Sequence, residues 1–208
     1  MPNPLQPPWS QLIPLFPVAD HSVTVNAAAW QPHLADHGLQ NQHQAIFGGN
    51  QSVRLSRGRL QNHAYPNHMQ KCLEIFMWGW PTRARGNLRA SFLQNVNAIA
   101  ATASQNLQWP VYYNNLHELG NLGISTITKL AYFYGHQFGG LPGVILDLRI
   151  IGVLAEGRWQ ALAMPGLSYN NAAQNYPAYL QAVANVAGQI GCTPAHVELL
   201  LFSWGDAF

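Results

Sequence analysis

The pattern of apolar and polar positions changes character near residue 66. Before it, prolines at 2, 4, 7, 8, 14, 17 and 32, the pair Gly48-Gly49 and scattered His, Gln and Asn interrupt any long period. Residues 1–66 therefore read as an irregular N-terminal segment packed on the rest. Within it, Ser22-Val23-Thr24-Val25 fits a short strand and 30–39 a short helix. From Asn67 the spacing turns helical, and 67–208 is expected to form one helical domain. Met69, Cys72, Leu73, Phe76 and Met77 lie on one helical face that ends near Gly79-Trp80-Pro81. Gly86-Asn87 opens a second helix carrying Leu88, Phe92, Val96, Ile99 and Ala100. Pro110 starts a third, running to Leu119. Ser125 or Thr126 caps a fourth that runs to Tyr134, and Asp147 caps a fifth over 148–154. Pro177 starts a sixth, and Thr193-Pro194 a seventh, with proline in the first turn after a threonine cap. The predicted class is mainly α.

Composition removes several alternatives. The 208 residues are 48% apolar and 11% aromatic, too rich for a disordered chain. No run approaches the roughly 20 apolar residues that cross a bilayer, and the longest is broken by Asp147 and Arg149. The start has neither a basic nor an apolar signal region, so a cytoplasmic protein without membrane contact is the expectation, and a monomer is expected. Two cysteines, Cys72 and Cys192, imply no disulfide framework, and neither metal nor cofactor is expected. His33 and His37 stand four apart, but no third ligand follows at a suitable spacing, so they read as a polar helix face.

Charge changes the picture more. Only 9% of residues are charged, and 17 Asn and 17 Gln take over the polar surface. Seven of the ten cations (Arg54, Arg57, Arg59, Lys71, Arg83, Arg85, Arg89) fall between 54 and 89, where Glu74 is the single acid. A basic stretch on a near-neutral body fits a polyanion-binding face or a solvated arginine surface, and charge alone leaves both open.

The stretch 116–134, Leu-His-Glu-Leu-Gly-Asn-Leu-Gly-Ile-Ser-Thr-Ile-Thr-Lys-Leu-Ala-Tyr-Phe-Tyr, predicts two helices joined by a glycine-bearing turn, a hairpin over about 111–134. Gly120 and Gly123 are candidates for left-handed turn positions. Amides left open at the start of the second helix, with its positive dipole end, suit a phosphate. Ile124, Ile127, Leu130, Ala131 and Tyr134 share the expected core face of that helix. Lys129, one of only two lysines, projects from the other side beside Ser125, Tyr132 and Phe133. It is either a surface lysine or the wall of a cleft. Eighteen residues on, Asp147 interrupts an apolar run. It is either a plain helix cap or a carboxylate held at a cleft edge.

Three segments together resemble a known family: Gly123-Ile124-Ser125-Thr126 with Lys129-Leu130 and Tyr132-Phe133, then Ile145-Leu146-Asp147 with Arg149, then Val197-Glu198 with Leu201-Phe202-Ser203-Trp204-Gly205. Over about 85–205 the chain resembles the bacterial 8-oxoguanine DNA glycosylase-like proteins of the helix-hairpin-helix DNA glycosylase superfamily. Better-known members have a second glycine where Ser125 stands, and their lysine lies two residues earlier. The resemblance implies a helical glycosylase fold, Lys129 as nucleophile and Asp147 as catalytic carboxylate. It implies double-stranded DNA with a damaged or modified base as partner.

Gly120, Gly123, Ser125 and Thr126 of the hairpin, with Arg83, Arg85 and Arg89, are then candidates for DNA contact, and Asn114 and Asn115 for the orphaned partner base. Trp78, Trp80, Tyr132 and Phe133 are candidates for the base pocket, with Phe202 and Trp204 at the C-terminus. The implied substrate is 8-oxoguanine. The amide- and aromatic-rich N-terminal third also suits a bulkier base, such as glucosylated hydroxymethylcytosine in phage DNA, which implies a phage-defence role. Abasic-site lyase activity follows if Lys129 forms an imine. The rival readings are a non-catalytic DNA-binding module and a protein-interaction domain.

Overall fold

A computed structural model describes residues 2–82 and 88–205. In chain order the helices are α1 (Trp9–Leu12), α2 (Ala27–Asp36), α3 (Gln40–Phe47), α4 (Arg57–Asn62), α5 (His68–Gly79), α6 (Leu88–Gln94), α7 (Val96–Ala103), α8 (Trp109–Gly120), α9 (Ile124–Tyr134), α10 (Leu148–Ala155), α11 (Ala172–Ile190) and α12 (Pro194–Trp204). Two strands, β1 (Ser22–Asn26) and β2 (Ser52–Ser56), pair antiparallel with Thr24 opposite Arg54, and β3 (Gln137–Phe138) pairs with β4 (Leu141–Pro142). The mainly α class expected from the sequence is the observed one.

The N-terminal third departs from the irregular segment expected of it. Helices α2 and α3 lie between the two strands, and α4 follows directly after β2. Its buried side chains, among them Val25, Trp30, Leu34, Phe47, Leu55 and Leu60, join the same core cluster as the helical body. Prolines suggested breaks because proline removes a helical hydrogen bond. Yet Pro32 lies inside α2, and Pro177 inside α11, which begins at Ala172 instead of at the proline. In both helices the turn before the proline buries large side chains, Trp30 in one and Tyr176 in the other, and packing overrides the local preference.

Side-chain caps set the start of five helices. Asn26, Ser56, Asn67 and Asp147 each accept a backbone N–H in the first turn of the helix they precede, and Thr193 forms a capping box with His196. Helix α9 is an exception, since it starts at Ile124 with Gly123 as its N-cap and no side-chain cap. Ser125 and Thr126 stand inside it, so neither caps it as expected. The helix expected to run through Leu88 and Ala100 is two, broken at Asn95.

Candidate active site

Helix α9 is the centre of the molecule. Of the expected core face, Ile124, Ile127, Leu130 and Ala131 are buried and Tyr134 is half-buried, but Thr126, Thr128, Tyr132 and Phe133 on the other sides are buried too. That resolves the alternative for Lys129. Lys129 is half-buried and lines a cleft.

Two adjoining cavities meet at Lys129, Asp147 and Gly79. The outer, about 510 Å³, is also lined by Trp80, Gly123, Ser125, Thr126, Leu148, Arg149 and Tyr169. The inner, about 260 Å³, is also lined by His21, Val23, Arg57, Trp78, Pro81, Ile145, Glu198 and Phe202. Gly79, at the end of α5, leaves room for the lysine stem: a Cβ there would lie 3.2 Å from Lys129 Cδ.

The amine of Lys129 donates a 2.6 Å hydrogen bond to Ser125 Oγ, one helical turn back. Burial lowers its pKa from the ordinary lysine value, and the Arg57 guanidinium acts in the same direction, while Asp147 and Glu198 oppose both. Asp147 is held from behind. Its Oδ1 accepts the Ile150 N–H at 3.0 Å as the cap of α10. The three residues before it run through the core, outside any helix or strand, and side chains satisfy their backbone groups. Tyr176 donates to Val144 O at 2.7 Å, Tyr179 donates to Ile145 O at 2.8 Å, and Leu146 N–H donates to Thr128 Oγ1 at 3.1 Å. Thr128 in turn donates to Ile124 O at 2.9 Å. One buried hydroxyl thus ties the residue before Lys129 to the residue before Asp147.

The inner cavity has an ionic floor that sequence reasoning did not find. Arg57, 1% exposed, makes a two-pronged ion pair with Glu198, 0% exposed; Nη1 bonds Oε2 and Nη2 bonds Oε1 at 3.1 Å. Its Nε donates to His21 Nδ1 at 3.1 Å. The guanidinium lies over the rings of Trp78 and Tyr132, 5.4 and 5.3 Å from their centroids. Desolvation and the arginine charge depress the His21 pKa to about 4, so the imidazole is neutral. The signal for this pair lay in the sequence only as two charges 141 residues apart. No local pattern joins them.

Of the candidate base-pocket residues, Trp78 lines the inner cavity and Trp80 the outer. Tyr132 is turned to Arg57, and Phe133, 1% exposed, packs edge-on behind Trp78 at 5.2 Å. Phe202 lines the inner cavity. Trp204 is half-exposed, with its ring 6.4 Å from that of Trp9.

In the hairpin, α8 and α9 are joined by residues 121–123, but the left-handed residue is Asn121 (φ 51°), not a glycine. Gly120 is helical, and a Cβ on it would press on Ile99 and Leu122 at 3.1 and 3.2 Å. Gly123 is extended (φ −81°, ψ 167°), and the Tyr169 hydroxyl fills the space a Cβ would occupy. Both glycines are there for close packing. Asn114 and Asn115 are exposed on α8.

The basic stretch divides. Besides the buried Arg57, Arg59 pairs with Glu74 at 3.1 Å, Arg54 Nε donates to Ser22 Oγ, and the Lys71 ammonium lies 4.8 Å from the Tyr134 ring. Arg83 and Arg85 lie outside the described residues, as does the side chain of Arg89. Among the described residues no group of three or more His, Cys, Asp or Glu is placed to hold a metal, and no helix is long and apolar enough to cross a membrane. Cys72 and Cys192 are free thiols.

Neither the curated proteins nor the solved structures contain a match to this chain. A protein family does match, described as "Putative 8-oxoguanine DNA glycosylase OGG-like protein", over residues 17–202. The match takes in the N-terminal strands and α4 as well as the hairpin and the C-terminal helix, so the wall that carries His21 and Arg57 belongs to the shared unit. The chain belongs to this OGG-like family.

Proposed function

We propose that the protein is a DNA N-glycosylase that extrudes a damaged base from duplex DNA and excises it with Lys129 and Asp147. One observation carries this reading: both residues line the same two cavities, on either side of the point where the cavities meet. The outer cavity opens beside the uncapped start of α9, whose dipole end suits a backbone phosphate. The inner one has aromatic walls suited to an extruded base.

Breaking the C1′–N bond places positive charge on the deoxyribose, and the electron pair leaves with the base. Asp147 stabilises that charge; such preorganised groups contribute on the order of 10²–10³ in rate. A neutral Lys129 amine then bonds C1′ and passes a proton to the departing base, and the iminium forms as the ring C1′–O4′ bond breaks and O4′ takes a proton from water. Burial favours the neutral amine this step needs. Elimination of the 3′ phosphate from that iminium gives lyase activity.

The family description favours 8-oxoguanine as the base. The test incubates the protein with oxidised DNA, unmodified DNA and glucosylated phage DNA, counts aldehydic abasic sites, and adds borohydride to trap an imine. Abasic sites and a trapped adduct on oxidised DNA are expected, both lost in Lys129→Gln. DNA binding that weakens with salt but yields no abasic site on any of the three would mean a non-catalytic module. Release from glucosylated DNA alone would move the substrate to phage DNA.

A further inference from the structure

Three side chains of the inner cavity take no part in the chemistry just described: His21, Arg57 and Glu198. We propose that the inner cavity is the base-reading chamber and that His21 is its specificity-determining residue. In that role it presents a fixed N–H donor to a carbonyl oxygen of the extruded base. The proposal rests on the glycosylase reading and names what that site recognises.

The argument starts from arginine, which has donors and no acceptor. Arg57 Nε donates to His21 Nδ1 at 3.1 Å, so that nitrogen must carry its lone pair. The neutral ring therefore bears its proton on Nε2. The arginine is held on all sides: Glu198 takes its other two nitrogens, and the Trp78 ring lies against the guanidinium and stands edge-on to His21 at 5.4 Å. The imidazole is thus fixed in tautomer and in place, in a chamber whose other walls are Trp78 and Phe202, the latter 5.5 Å from the His21 ring. The Arg57–Glu198 pair beneath is internally compensated, which leaves Asp147 and Lys129, where the two cavities meet, as the remaining ionisable groups other than His21 around the chamber. A donor in an aromatic slot rewards an acceptor in the ring plane; guanine already carries one at O6, so the discriminating atom is the second carbonyl oxygen, at C8, which 8-oxoguanine has and guanine lacks. A base lacking the acceptor would leave a desolvated N–H unpaired, a penalty that makes such sites selective.

The decisive experiment separates reading the base from attacking the sugar. Three proteins (wild type, His21→Phe and His21→Gln) are each given two duplexes, one with a single 8-oxoguanine and one with a preformed abasic site. Phenylalanine keeps the ring and loses the donor. Glutamine offers both an acceptor for Arg57 and a donor for the base. In His21→Phe, 8-oxoguanine release is expected to fall about tenfold or more, with part of the loss recovered in His21→Gln. Imine trapping on the abasic duplex is expected to be unchanged in both, because no base is present to read. Equal loss on the two duplexes would make His21 a structural residue, and unchanged release would overturn the assignment outright. Wild-type protein that traps the abasic site but leaves 8-oxoguanine in place overturns the reading of the carbonyl alone. If it does neither, the glycosylase reading falls as well.

Discussion

The cleft is walled by two cations whose circumstances are opposite. Arg57, delivered by α4 directly after β2, has a carboxylate on one edge, an imidazole on another, and aromatic rings over its plane. Lys129, delivered by the central helix α9, is hydrogen-bonded to a neutral hydroxyl. Balance follows from the partners: the Glu198 contacts hold Arg57 above its ordinary pKa despite burial, whereas burial wins at Lys129 and lowers it. One wall is a permanent charge that shapes the chamber. The other is an amine that can lose its proton. Arginine suits the first task because it does not deprotonate in proteins, and lysine the second because it does.

Breaking the permanent wall should have the largest effect. Arg57→Met strands the Glu198 carboxylate in the core and is expected to destabilise the fold by about 3–5 kcal/mol, read by denaturant unfolding. Adding Glu198→Leu to it should recover most of that loss. If the double variant is no more stable than the single one, the pair is not the self-contained unit described.

The reactive wall should respond in rate and not in stability. Asp147→Asn keeps a good helix cap for α10 while removing the charge, so base release should drop about 10²–10³-fold with little change in melting temperature. Lys129→Gln should abolish the trapped imine and leave the fold intact.

The link between lysine and aspartate sharpens the comparison further. Thr128→Val leaves the Leu146 N–H buried without a partner, at a cost of about 1–3 kcal/mol. Thr128→Ser should restore both stability and base release. A valine variant as active and stable as wild type would show that the packing of Tyr176 and Tyr179 suffices to hold the segment before Asp147.

The smallest effect is one of pH. The folded state holds His21 neutral to about pH 4, whereas an unfolded histidine protonates near its ordinary value of 6.5. Between these values the unfolded chain binds more protons, so the His21 contribution to stability is full above the window and is lost as pH falls through it. His21→Gln should flatten that part of the stability profile relative to wild type, measured by unfolding at several pH values.

Much of the helical framework was legible, because its signals are local. The Asn67, Asp147 and Thr193 caps place three helix starts correctly, and of the expected face of α5, Cys72, Leu73, Phe76 and Met77 are buried and Met69 is half-buried. The errors arose where a distant neighbour decides. Pro177 does not start its helix, which begins at Ala172, and Tyr132 and Phe133 face Arg57 and Trp78 instead of the cleft. Gly120 and Gly123 looked like turn residues, while Asn121 takes the left-handed position.

What the sequence determined by itself was the inventory: a mainly helical chain with a hairpin, one lysine in its second helix and one aspartate capping the helix beyond. Local propensity and periodicity depend on residues a few positions apart, so they survive without a structure. The tertiary structure decided which groups face one another. Only packing brings His21 and Arg57 from the first third of the chain against Glu198 from the last helix, because the desolvation of one charge is tolerable only beside its counter-charge. The same packing buries α9 on all sides, and that burial turns Lys129 from a solvated cation into a candidate nucleophile.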